Sequence, residues 1–160
     1  MPLARAQMRL DVYYGLCIAL GLILYFLLMR LIGLVHVVEL RVFNLVIMVT
    51  GLNAAFKKFR TTDINRQFNY MRAFIFGIST SVVGSLAFAI FLFIYISFID
   101  RQLMLSIIEN EPMGRFLNPY VASFIVTVEG ILSGILATFI LINVKNASDI
   151  EDGMKGDKES

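Results

Sequence analysis

Residues 71–100 read MRAFIFGISTSVVGSLAFAIFLFIYISFID, and after Arg72 no charge interrupts the run until Asp100. As a helix, residues 71–99 would extend roughly 43 Å, more than the roughly 30 Å of hydrocarbon in a bilayer. Apolar residues fall on every side of it, without the single stripe of a helix packed on a soluble core. In lipid, backbone amides and carbonyls must be satisfied within the segment, so the stretch reads as a transmembrane α-helix, long enough to tilt or to project into water.

Three further apolar stretches lie around it. Residues 12–35 are interrupted by Arg30, residues 37–56 carry Glu39 and Arg41 near their start, and residues 120–144 contain Glu129. Strands of an outer-membrane barrel are about ten residues long and alternate apolar with polar, which none of these runs does. Arg5 and Arg9 precede the first run as in a signal peptide. Its length exceeds the roughly 7–15 residues of such a region, so an uncleaved first helix is expected. The expected fold is all-α: a four-helix transmembrane bundle spanning residues 12–35, 37–56, 71–99 and 120–144.

Composition agrees. Of 160 residues, 58% are hydrophobic and 16% charged, with a mean hydropathy of +0.78. Soluble domains carry about 45–50% apolar and about 25% charged residues. A net charge of +2 is too small for a nucleic-acid binder. Cys17 is the sole cysteine and His36 the sole histidine, so no internal disulfide and no two-histidine metal or haem site can be built from the chain. No nucleophile elbow, phosphate loop or zinc-protease motif occurs, and neither an enzyme, a cofactor nor a metal is expected.

Positive charge sets the orientation. With four spans, Arg5, Arg9, Lys57, Lys58, Arg60, Arg66, Arg72, Lys145, Lys155 and Lys158 share one side, against Arg30, Arg41, Arg101 and Arg115 on the other. Cytoplasmic segments are the Lys/Arg-rich ones, so both termini are expected in the cytoplasm, with the chain in a bacterial inner (plasma) membrane. Between the third and fourth spans, Leu103, Met104, Ile107 and Ile108 have helical spacing and predict a short amphipathic helix on the outer surface. Residues 1–145 form the transmembrane domain. Residues 146–160, polar and mixed in charge, are expected to be a disordered cytoplasmic tail.

Glu129 is the residue most out of place. About ten residues into the fourth span, it lies near mid-membrane, where a carboxylate costs at least about 2.5–3.5 kcal/mol. It reads either as a protonatable or cation site or as an interhelical hydrogen-bonding group. Depth arithmetic puts Tyr25, Asn44 and Ser85 in the same layer. Arg30 lies nearer the outer surface, where it can snorkel, pair with Glu39, or reach Glu129. Asn44, Thr50 and Asn53 are expected to hydrogen-bond between helices, and Cys17 to be a small core residue. Gly77, Ser81 and Gly84, with Gly130 and Gly134, have the spacing that lets helix backbones approach closely in lipid.

The end of the second span, AAFKKFR, and the stretch FNYMRAFIFGISTSVVGSLAFAIFLFIYISFID resemble a family of small bacterial four-helix inner-membrane proteins of unknown function. The resemblance covers about residues 54–111 and implies location and helix count, with no catalytic residue.

Two functional readings follow. The preferred one is a non-catalytic accessory or assembly component acting through helix packing in the bilayer, in a homo-oligomer or larger complex. It expects the small-residue face to be uncovered in the isolated subunit. The alternative is a small proton-coupled transporter or channel using Glu129, which expects Glu129 to face a cavity.

Overall fold

The computed structural model describes residues 2–33, 42–62, 70–110 and 116–156. All regular structure among them is helical: α1 (Pro2–Ile32), α2 (Val42–Thr62), α3 (Tyr70–Ile94) continued by a π-helical turn (Tyr95–Ile99), α4 (Arg101–Asn110) and α5 (Pro119–Gly156). Four segments are long and apolar enough to cross a membrane: Arg9–Ile32, Val42–Thr61, Tyr70–Ile99 and Pro119–Val144. The protein is a multi-pass, four-helix transmembrane bundle.

Several boundaries differ from those expected. Helix α1 stops at Ile32, short of residue 35. Gly33 there adopts φ 79° and donates its N–H to the Arg30 carbonyl at 3.2 Å, a left-handed helix ending that glycine accepts without steric cost. The expected start of the second span, with His36, Glu39 and Arg41, lies outside the described residues. Its far end runs past residue 56 to Thr62, because exposed Lys57, Lys58 and Arg60 can carry their charges to the headgroups while their stems stay on the helix. Helix α5 continues to Gly156, so the segment read as a disordered tail is helical from residue 146 to that point. Extending an existing helix needs no new nucleus.

Helices α1 and α3 run parallel. Gly15 sits against Val83 and the Thr80 carbonyl, Ile18 against Gly84, and Phe26 against Phe88, Phe91 and Tyr95. Helix α2 runs antiparallel to α1, with Gly51 facing Ile18, Gly21 facing Ile47, and Phe43 stacked on Tyr25 at 6.0 Å. Helix α5 runs antiparallel to α3. Thr138 meets Gly77, Gly134 meets Ser81, Gly130 meets Ser85, and Tyr120 meets Phe93. A Cβ added at Gly77, Gly130 or Gly134 would collide with the residue opposite. Gly77, Ser81, Gly84, Gly130 and Gly134 are therefore all occupied inside the subunit, and the uncovered small-residue face expected of an accessory protein is not formed by them.

Three apolar layers stack along the bundle. Phe56, Phe59, Phe76 and Ile142 fill the end that carries exposed Lys57, Lys58, Arg60 and Arg72, hereafter the basic end. Ile18, Leu22, Met48, Leu52 and Phe88 fill the middle. At the opposite end, Leu92 and Ile96 pack on Leu103 and Met104 of α4. The short amphipathic helix thus exists, with its apolar face turned down onto the bundle. Exposed large apolar residues such as Leu16, Leu20, Leu24 and Leu28 form the lipid-facing side of α1. Cys17 also lies exposed there, against the expectation of a core position.

Candidate functional site

Glu129 lies near the middle of the Pro119–Val144 segment, exposed on α5. It borders a half-open cleft of about 250 Å³ between α2 and α5, floored by α1 and α3. Asn44, Ser85 and Ser133 supply the other polar lining, and Leu22, Met48, Phe88 and Val126 the apolar floor. Val42 and Leu45, both exposed, stand at its mouth. The antiparallel seam explains the gathering: Gly130 brings α5 close to Ser85, which carries Glu129 and Ser133 to the level of Asn44 on α2.

The cleft is unsatisfied. Ser85 is 2% exposed, and its hydroxyl has no hydrogen-bond partner. Among the described residues, nothing hydrogen-bonds Asn44, Ser133 or Glu129 either. An orphaned buried hydroxyl costs about 1–3 kcal/mol, and a carboxylate at this depth more. The Glu129 carboxylate can take up a proton, and its oxygens with those of the amide and hydroxyls can hold a cation. No nucleophile and base pair up here, and no cluster of His, Cys, Asp or Glu suited to a metal occurs among the described residues.

Of the layer predicted from depth, Asn44, Ser85 and Glu129 come together, and Tyr25 does not. Its ring stacks on Phe43, the neighbour of Asn44, outside the cleft lining. Depth fixes height along a helix but not direction around it. Thr50 departs similarly: its hydroxyl donates to the Val46 and Ile47 carbonyls of its own helix.

Glu39 lies outside the described residues, and Arg30 pairs with Asp100 instead of Glu129. Its Nε–H donates to Asp100 Oδ2 at 2.7 Å, and a guanidinium Nη forms an ion pair with the same oxygen. The pair is part-buried, at 30% and 16% side-chain exposure. Asp100 joins three elements. Its N–H donates to the Tyr95 carbonyl at 2.9 Å, closing the π-helical turn. Its Oδ1 accepts from the Leu103 N–H at 3.0 Å, capping α4. Its other oxygen holds α1 through Arg30. Partial burial opposes ionisation of Asp100, but the Leu103 amide and the Arg30 guanidinium outweigh it and hold the carboxyl below the usual carboxylate range.

Sequence reading passed over one further acid. Asp11, placed just outside the expected first span, is 8% exposed at the basic end, beside the Ser79 hydroxyl, with Oδ1 unpartnered. Only the parallel packing of α1 on α3 reveals its burial.

No curated protein and no solved structure matches the chain. A family profile does match, from residue 13 in α1 to residue 140 in α5, so the match reaches into all four membrane segments and includes every residue of the cleft. The chain belongs to that family, described as Protein of unknown function (DUF4199).

Proposed function

We propose that the protein is a small, non-enzymatic transporter of the inner (plasma) membrane that uses Glu129 as a protonatable cation site, with both termini in the cytoplasm. The observation that carries this reading is the convergence of a mid-membrane carboxylate, an amide and two hydroxyls, without hydrogen-bond partners among the described residues, on one half-open cleft. Polar groups at such depth are costly and characteristically line ion or substrate paths. The orientation rests on the Lys/Arg excess at the basic end. A helix-packing accessory role loses its main support, because the small residues it would offer to a partner are already engaged within the subunit.

The test is proton exchange in proteoliposomes with an acidic lumen and a trapped pH dye. Sodium, potassium and tetramethylammonium chlorides are added outside in turn. At least one should alkalinise the lumen with wild-type protein, and none should with Glu129→Gln. A lumen whose pH holds against all three with wild-type protein removes the transport reading.

A further inference from the structure

Resting on that reading, we propose that the α2–α5 cleft binds a small organic ammonium ion, which enters sideways from the hydrocarbon. The cleft volume of about 250 Å³ corresponds to roughly eight times a water's share of liquid volume. A bare metal ion would leave most of it empty. Hard cations also need six or more oxygen ligands, whereas the polar lining supplies one carboxylate, one amide and two hydroxyls. A primary ammonium carries three N–H donors and no acceptor. It matches a lining rich in acceptors: the Glu129 carboxylate, the Asn44 amide oxygen, and the hydroxyl of Ser85 or Ser133.

The rest of the lining indicates what is attached to that ammonium. Leu22, Met48 and Phe88 suit an alkyl or aryl body, and the Phe88 ring can attract a nearby cation. Entry from the side follows from the mouth residues, because Val42 and Leu45 are exposed on the lipid-facing surface. The Ser85 hydroxyl is a separate observation that points to a ligand. It is 2% exposed, unpartnered, and part of the cleft wall.

The probe is radiolabelled benzylammonium at neutral pH, equilibrated by dialysis with full-length protein in phosphatidylcholine nanodiscs and with empty discs. Wild-type protein should show saturable binding above the empty discs. Glu129→Gln should weaken it at least tenfold and Ser85→Ala several-fold. Benzyl alcohol, of the same shape without the charge, should not compete, nor should magnesium chloride beyond the effect of ionic strength. If Glu129→Gln does not fold, Asn44→Ala at a half-exposed position should still weaken binding about threefold or more. The inference is overturned by a lack of saturable binding, by unchanged affinity in the folded variants, or by equal competition from benzyl alcohol. Absent binding alongside intact cation-driven alkalinisation sinks the ligand assignment alone. Loss of both removes the transport reading as well.

Discussion

Replacing Gly134 by alanine tests the α3–α5 seam at its tightest rung. The new Cβ would lie inside contact distance of Ser81 Cβ and Oγ. Ser81 cannot easily turn away, because its hydroxyl donates to the Gly77 carbonyl at 2.8 Å. Overpacking of this kind costs about 1–3 kcal/mol. Alanine also gains about 1 kcal/mol over glycine in helix propensity, which would mask part of the loss in a single variant. The double-mutant cycle with Ser81→Gly removes the ambiguity, because the propensity gain enters both arms and cancels. With residue 81 reduced to glycine, the methyl introduced at position 134 occupies vacated space, and Gly134→Ala should become neutral or stabilising. A coupling of about 1–3 kcal/mol is expected, measured by reversible unfolding in mixed micelles followed by circular dichroism. Coupling below about 0.5 kcal/mol, the range of independent sites, would show that these positions do not touch and that the α3–α5 register described here is wrong.

Three further outcomes are expected. Because the Asp100 carboxyl is held below its unfolded value, its contribution is present above the ordinary carboxylate pKa of about 3.9 and lost as pH falls through the folded value. Asp100→Asn should therefore destabilise at pH 7 and flatten the acid limb of the stability profile; an unchanged limb would refute the latch. Asn118→Ala removes the side-chain oxygen that accepts from the Val121 N–H at 2.9 Å and should cost about 1 kcal/mol, seen as faster amide exchange in the first turn of α5. Gly33→Ala forces a Cβ into φ 79° and should cost about 1–2 kcal/mol although nothing lies within 4 Å of the site, so an unaltered unfolding midpoint would contradict that helix ending.

The four membrane helices were legible because hydrocarbon imposes a length, and an uncharged run such as residues 73–99 has few other uses. The common height of Asn44, Ser85 and Glu129 was legible for a related reason: rise per residue is constant. What sequence could not supply was azimuth and partnership. Tyr25 has the right height and the wrong direction. Asp100 reads only as the end of an apolar run until α1 is laid parallel to α3, which places Arg30 beside a residue seventy positions away. The π-helical turn has no composition of its own in YISFI, and Asp11 lies one residue outside the apolar run, which says nothing of its burial. Gly33 did carry a signal, a glycine in the last turn before a polar group, and it was hidden by the apolar residues on either side.

The Gly/Ser rungs between α3 and α5 recur every four residues on both helices, and a ladder of near-identical rungs carries no address. Slipping α5 by four residues, about 6 Å, would set Gly77 opposite Gly134 and Ser81 opposite Gly130, small against small once more. Alignment must therefore be enforced by bulky, non-repeating contacts: Tyr120 on Phe93, with ring centroids 4.9 Å apart, and Ile142 lodged among Phe56, Phe59 and Phe76. These stops near the two ends of the Pro119–Val144 segment set the altitude of the Glu129 carboxylate relative to Ser85 from a distance, although neither lines the cleft.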